Sequence, residues 1–168
     1  QFGFRAGSSC ELALLSVNEY WMKGVDDGKV VGALMIDLSK AFDTVSHQKL
    51  LQQLMEIGCG MDVVSFFKSY LTDRRQRVIR RPEMTEWRGV TRGVPQGGGL
   101  SPLLYNIYSR ELPTCTDSTT HQFADDTTLS DSDTSPELVI ERLATGFAAV
   151  KEWCQEKALI INTEKTQF

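Results

Sequence analysis

The spacing of apolar residues changes period several times along the chain, and each change marks an element. From Glu11 to Lys23, Leu12, Leu15 and Tyr20 follow a broken helical pattern that stops before Asp26-Asp27-Gly28, which predicts a helix packed on a sheet. Val30 to Leu38 is then almost continuously apolar and predicts a strand covered on both faces. Helical spacing returns at Leu50, Leu51, Leu54 and Met55, ends at Gly58-Cys59-Gly60, and resumes at Val63, Val64, Phe67, Tyr70 and Leu71. Arg77-Val78-Ile79-Arg80 and the residues up to Val90 predict two short strands around Pro82-Glu83. Ser101-Pro102 looks like an N-cap followed by a first-turn proline, opening a helix through Leu103, Leu104 and Ile107.

After a polar connection from Pro113 to Thr120, His121 to Ala124 leads into Asp125-Asp126, and Thr127-Thr128-Leu129 returns as a second strand. Ser135-Pro136-Glu137 opens the longest helix, with Ile140, Leu143, Phe147, Val150 and Cys154 as its core stripe. Ala158 to Ile161 predicts a last strand and Asn162 to Thr166 a turn.

A length of 168 residues, 41% hydrophobic and 24% charged, suits one globular domain with a real core. No run of about 18 apolar residues is present to span a bilayer, so no membrane partner is expected. The start Gln1-Phe2-Gly3 has neither an initiator Met nor a signal-peptide pattern, and the chain reads as a piece of something longer. Cys10, Cys59, Cys115 and Cys154 lack any Cys-x-x-Cys spacing, which suggests neither zinc nor disulfides and fits reduced thiols in an intracellular protein.

The formal net charge of −4 argues against indiscriminate polyanion binding by the whole surface. Between Lys68 and Arg92, however, eight basic residues face three acidic ones, a local excess of five positive charges. The stripe holding Arg74, Arg75, Arg77, Arg80 and Arg81 could follow a phosphate backbone, or be a solvated hairpin.

Two of the apolar runs end in carboxylates. Asp37 closes the stretch Val30 to Ile36, and Asp125-Asp126 closes His121 to Ala124. A buried strand should not end in a charge unless that charge has a task or lies just outside the core. Oxygen ligands from two strands could converge on hard cations such as Mg2+, and an ion pair of that kind stabilises the attacking and leaving oxygens of a phosphoryl transfer. Neighbouring side chains on a strand point to opposite faces, so both carboxylates reach one site only from a hairpin turn, with Asp125 the ligand and Asp126 its lesser partner. Asp131-Ser132-Asp133 lacks the glycine and distal glutamate of a calcium loop and reads as solvated.

Between these carboxylates lies Gly93-Val94-Pro95-Gln96-Gly97-Gly98-Gly99-Leu100-Ser101-Pro102. Taken in order, Asp37-Leu38-Ser39-Lys40-Ala41-Phe42-Asp43, this block, Phe123-Ala124-Asp125-Asp126 and Leu159 to Thr166 resemble motifs A to D of the reverse transcriptase palm. The wording is similar to that of non-LTR (LINE-like) retrotransposons, and Gln1-Phe2-Gly3-Phe4-Arg5 resembles their junction between fingers and palm. The resemblance covers essentially the whole chain. Phe123 stands where the family commonly has Tyr, and Gly98-Gly99 where many members have Ser or Ala and then a bulkier residue.

The resemblance implies an α+β fold: a polymerase palm with an antiparallel sheet backed by helices, part of the fingers and no thumb. Residues 1–29 would be the lead-in and 30–168 the palm, one domain fragment in all. It implies that Asp37, Asp125 and Asp126 hold two Mg2+ ions, with Mn2+ able to substitute. Leu38, Lys40, Ala41 and Phe42 would lie along the nucleotide, the ring of Phe42 under the sugar, with Gln96 and Gly97 lining the pocket. Read alone, Phe42 is a core aromatic, Lys165 a surface lysine, His47 a polar or capping residue and Arg5 a surface or packing residue; Asp43 reads as a possible helix cap. In the family context Lys165 becomes a donor of a proton or positive charge to the leaving pyrophosphate.

The implied activity is RNA-directed DNA polymerisation with an RNA template, a DNA primer and dNTP. The implied partners are the rest of a parent polyprotein, namely fingers, thumb and an endonuclease domain in some elements, with a nuclear place of work. The fragment alone is expected to be inactive or very weak. Rival readings are a catalytically inactive or domesticated relic that keeps the fold and binds nucleic acid, a group II intron or telomerase relative, and a two-metal nuclease. The nuclease accounts for the carboxylates but not for Pro95-Gln96-Gly97 or Phe42.

Overall fold

The computed structural model describes all 168 residues. Its centre is a three-stranded antiparallel sheet in the order β1-β7-β6, with β1 at Val30–Ile36, β6 at Thr119–Phe123 and β7 at Asp126–Asp133. The register pairs Ile36 with Thr127, Leu34 with Leu129 and Phe123 with Asp126. Strand alternation then divides the residues between two faces. Gly32, Leu34 and Ile36 point toward the long helix α6 (Pro136–Glu156), and Val31 points toward α1 (Cys10–Asp26) on the other side.

The α6 side carries the deeper core, where Leu34, Ile36 and Leu129 meet Val139, Leu143 and Val150. Gly32 makes this approach possible, since a Cβ there would sit 2.5 Å from Val139 Cγ1. The helix begins as its sequence predicts, with Ser135 Oγ accepting from Leu138 N–H and Pro136 in the first turn. Of its predicted stripe Leu143, Val150 and Cys154 are buried and Phe147 packs against the core, but Ile140 is exposed, and Val139, Gly146 and Trp153 on the adjoining stripe are buried as well. Both spacings fit a 3.6-residue period, and only the sheet decides between them.

On the opposite face α1 docks through Tyr20, Trp21 and Gly24, with Trp21 Nε1 donating to Ser130 Oγ at 2.9 Å. The leucines that marked this helix, Leu12 and Leu15, lie mainly in solvent. Because α1 covers only part of that face, Met35 is 46% exposed and β1 is not buried on both sides as predicted.

A helical layer made of α2 (Ala41–Thr44), α3 (His47–Glu56), α4 (Met61–Leu71) and α5 (Ser101–Tyr108) closes the core with Leu50, Leu54, Phe67, Leu71, Leu104 and Tyr108. Met55 and Val63, which belong to the same helical spacing, are exposed. Between α4 and α5 the chain extends into a ribbon of two short pairings. Strands β2 (Arg75–Gln76) and β5 (Arg88–Gly89) form its base, and β3 (Ile79–Arg80) and β4 (Glu83–Met84) its tip.

Three local expectations are corrected. Ser101 does not cap α5; Leu100 holds that position, and Ser101 Oγ donates instead to the carbonyl of Pro95, tying down the glycine turn. Ala158–Ile161 is not a strand, because Ala158 takes a positive φ and only single bridges form, Leu38 with Ile161 and Met35 with Gln167. Asp131 and Asp133 belong to β7 rather than to a solvated loop, Asp131 accepting from Ser118 Oγ and Asp133 pairing with Arg142 at 3.0 Å. All four cysteines are free; burial, and secondarily Cys115, pushes the Cys154 thiol up to about 12. No helix is long and apolar enough to cross a membrane.

Candidate active site

The site forms where β1 and the β6–β7 hairpin end side by side. β1 stops at Ile36 and delivers Asp37; β6 stops at Phe123, and the chain turns through Ala124 and Asp125 to restart at Asp126. Ala124 adopts a positive φ of 57°, which closes this tight turn. The turn is held from outside by the opening residues of the chain. The Gln1 side-chain amide donates to the Ala124 carbonyl and accepts from its N–H, both at 2.9 Å, and Phe2 N–H donates to the Gln122 carbonyl at 2.8 Å. Gly3 lies against the same backbone, and a Cβ there would come within 2.4 Å of Ala124 N.

The three aspartates are electrostatic neighbours. The Asp126 carboxyl is held above the usual aspartate range, first by loss of water at the cleft wall and then by the negative charges of Asp125 and Asp37. No three acidic, histidine or cysteine side chains close into a ready-made cage. Asp37 and Asp126 line a cleft of about 440 Å³ together with Thr128, Glu164, Lys165 and Gln167. Asp125 occupies the turn itself. Its charge, together with that of Asp126, adds to burial in raising the pKa of the Tyr105 phenol.

Lys165 reaches the cleft because the C-terminal segment is pinned to β1 and its extension. Asn162 N–H donates to the Asp37 carbonyl at 2.8 Å, Ser39 N–H to the Ile160 carbonyl at 2.7 Å, and Met35 and Gln167 exchange backbone bonds. Glu164 arrives with it. Sequence reasoning passed over Glu164 because an acid in a polar turn carries no signal of its own.

The residues after Asp37 fold back on themselves. Lys40 is left-handed at φ 49° and precedes the short helix α2, with Leu38 and Ala41 buried beneath. The Phe42 ring stacks on buried Tyr105 at 4.4 Å and meets Phe4 edge-on at 6.3 Å. Phe42 is therefore half-buried against the core while belonging to the loop beside the aspartates. Tyr105 and Phe4 were not legible as its supports, since the contact joins three distant parts of the chain.

The glycine-rich block docks directly on this loop. Gly93 N–H donates to the Val45 carbonyl and Val94 N–H to the Phe42 carbonyl, both at 2.8 Å. Gly93 has φ +83°, and a Cβ there would lie 2.6 Å from the Asp43 carbonyl oxygen, so only glycine fits. Gln96 Nε2 then donates to Asp43 Oδ1 at 3.0 Å, which gives Asp43 a partner in place of the helix cap expected of it. Ser46 caps α3 instead. His47 Nε2 lies 2.8 Å from the Gly93 carbonyl, a polar anchor for the same docking, and Arg5 reaches only the Gln1 carbonyl at the surface. Gly97, at φ +78°, makes the turn beyond Gln96.

A second cleft, of about 320 Å³, opens on Gln96 and is lined by Asp43, Arg74, Gln76 and Arg92. The basic stripe thus begins at the Gln96 side of the site. Arg77, Arg80 and Arg81 lie farther out along the ribbon, exposed and outside that cleft.

Comparison with known proteins decides what this arrangement belongs to. The family model described as Reverse transcriptase (RNA-dependent DNA polymerase) matches residues 1–168. The chain belongs to the reverse transcriptase family. A probable RNA-directed DNA polymerase from transposon BS of Drosophila melanogaster is 30% identical over 99% of the chain and 19% of its own length. The RNA-directed DNA polymerase from mobile element jockey, also of Drosophila melanogaster, is 26% identical over 98% of the chain and 19% of its own length. These relatives place the domain in the non-LTR branch, and the chain spans about a fifth of their length. Telomerase from Candida albicans has the same fold, with a TM-score of 0.70 at 16% identity over 95% of this chain and 30% of its own. The reverse transcriptase domain is therefore palm-like, an antiparallel sheet with helices behind it.

Proposed function

We propose that this reverse transcriptase domain carries the polymerising centre of a non-LTR retrotransposon protein, adding deoxynucleotides to a DNA primer along an RNA template. The observation that carries the reading is that Asp37 and Asp126 share one cleft at the ends of paired strands, with Asp125 in the adjoining turn close enough for its charge to act on Asp126 and with the Phe42 loop and Gln96 docked through the glycine block. The donor set fits divalent cations. All the donors are hard carboxylate oxygens, and Asp126, raised first by burial and then by the charges of Asp125 and Asp37, stands in a negative field that a cation would relieve. When bound at these oxygens, two Mg2+ ions, or Mn2+ in their place, supply charge to the attacking and leaving oxygens of phosphoryl transfer.

The chain's own residues do the rest. Backbone groups from Leu38 to Phe42 lie along the triphosphate, and Lys40 in its left-handed turn aims that stretch at the site. The Phe42 ring, fixed on Tyr105, meets the sugar, where it excludes a 2′-hydroxyl. Gln96, held by Asp43, and the open turn at Gly97 border the base pair being formed. Lys165, across the cleft from Asp37 and Asp126, gives a proton to the departing pyrophosphate oxygen. Arg74, Arg75, Arg77, Arg80 and Arg81 contact nucleic-acid phosphates. The rest of the parent polyprotein holds the duplex.

The test is primer extension on an RNA template, with this domain inside its full parent protein. Asp37→Asn and Asp125→Asn are each expected to lower the rate by about a hundredfold or more, the loss that follows when several kcal/mol of charge stabilisation disappears. Extension by either variant at the parent rate overturns the site. Failure of the unaltered parent to extend any primer, with nucleic acid still bound, gives the relic reading instead.

A further inference from the structure

The ribbon between α4 and α5 carries side chains that the fold does not use. Val78, Ile79, Met84 and Trp87 are each more than half exposed, at 67%, 55%, 63% and 55%. Arg74, Arg75, Arg77, Arg80, Arg81 and Arg88 accompany them, and none makes an ion pair, because the four ion pairs of the chain lie elsewhere. Cross-strand bonds, including Thr85 N–H to the Val78 carbonyl at 3.0 Å, hold the ribbon's shape without any of these side chains. The Arg77 guanidinium lies 4.6 Å from the centroid of the Trp87 ring. A cation at that distance orients an indole and covers one face, which leaves the other face to offer to a ligand.

We propose that Trp87, backed by Arg77, is a stacking platform for an unpaired base, and that the surrounding arginines make the ribbon a track for single-stranded nucleic acid. The proposal deepens the phosphate-contact reading of the arginine stripe and rests on it. Duplex bases already have both faces covered by their neighbours, so an exposed aromatic ring gains a stacking partner only from a single strand. Unpaired guanidinium groups beside it supply the phosphate contacts, and the excess of five positive charges between Lys68 and Arg92 favours a polyanion over an apolar partner. The track leads to the site: the ribbon's base, through Arg74 and Gln76, lines the cleft that also holds Asp43, Arg92 and Gln96. A strand lying on the ribbon thus approaches Gln96 from outside while still unpaired.

The experiment measures binding by the full chain with fluorescence anisotropy at several salt concentrations. Short oligouridylate, oligothymidylate and a blunt RNA duplex serve as probes, and polyglutamate as competitor. A single strand is expected to bind more tightly than the duplex. Trp87→Ala should weaken that binding about tenfold with the salt slope unchanged, and Trp87→Phe should restore most of it. Arg80→Gln and Arg81→Gln should each lower the salt slope by about 0.7 while leaving the effect of Trp87 in place. Tighter uridylate binding identifies an RNA strand as the occupant, and tighter thymidylate binding a DNA strand. Unchanged melting curves show that the exposed substitutions leave the fold intact.

Equal binding of duplex and single strand, or no effect of Trp87→Ala, overturns the platform but leaves the phosphate-contact reading standing. Absence of binding to every nucleic-acid probe overturns both. Polyglutamate binding as tight and as dependent on Trp87 transfers the surface to an acidic protein and overturns the track. Because the readout is binding rather than extension, it is independent of whether the parent polymerises.

Discussion

Phe42 shows how one residue can satisfy two readings at once. Its ring packs on Tyr105, as a core aromatic should, and that packing is also what holds it rigid beside the carboxylates. Phe42→Val is expected to reduce discrimination against ribonucleotides by about tenfold or more in the parent polymerase, scored by ribonucleotide incorporation during primer extension. Tyr105→Leu, which removes the stack without touching a nucleotide, should produce part of the same loss. Equal discrimination in both variants and the parent would remove Phe42 from the sugar pocket. His121 gives a second residue-scale expectation. Its pKa is lowered, first by burial and then by the N-terminal charge, and its Nδ1 has no partner. Because the unfolded state takes up the proton first, stability is retained above the ordinary histidine pKa and lost as pH falls from there toward the lower folded value. The melting temperature should therefore decline as the pH falls below the ordinary histidine pKa, and His121→Gln should flatten that decline.

Short connections do much of the positioning at the scale of elements. The block from Gly93 to Ser101 forms no regular structure before α5, yet it fastens motif A to motif B through two backbone bonds and the Gln96–Asp43 contact. Gly93→Ala forces a Cβ onto the Asp43 carbonyl at a positive φ, and is expected to cost about 1–3 kcal/mol and to weaken extension. Ser135→Ala, which removes a genuine N-cap, should cost about 1 kcal/mol and leave extension alone. Urea denaturation measures both losses, and primer extension separates the glycine that positions the site from the serine that only starts a helix.

Across the whole molecule, the end of α6 behind the sheet is joined to the helical layer of α3 and α5 by a polar cluster around Lys157. Its ammonium lies 2.7 Å from Glu111 and 3.3 Å from Gln53 Oε1, and the Tyr108 hydroxyl donates to its carbonyl. The side chain is 15% exposed, so water replaces these partners poorly. Lys157→Met is expected to destabilise the domain by about 2 kcal/mol, and Glu111→Gln by less because a hydrogen bond to the ammonium survives. A midpoint unchanged by Lys157→Met would show that the cluster joins nothing.

How much could be read in advance follows from what each feature depends on. The helix at Ser135, the turn at Gly58 and the ribbon around Pro82-Glu83 rest on local signals, and they stand where their residues predict them. The order Asp37, Gln96, Asp125 carries the family signature, and the family match over the whole chain agrees with it. The face on which Ile140 falls was not legible, because a helix of this period can present two neighbouring stripes and only the sheet selects one. The Ala158–Ile161 run was misread as a strand, since apolar composition does not reveal that a left-handed residue opens it and that only single bridges form.

The chain alone therefore determined most of the elements and the family to which its motifs belong, because those signals lie in neighbouring positions. Tertiary structure alone decided that Gln1 holds the hairpin turn, that Tyr105 carries Phe42 and that Asp126 shares its cleft with Lys165 and Glu164. Each of those contacts joins residues far apart in the chain, and no local preference encodes a distance across the fold.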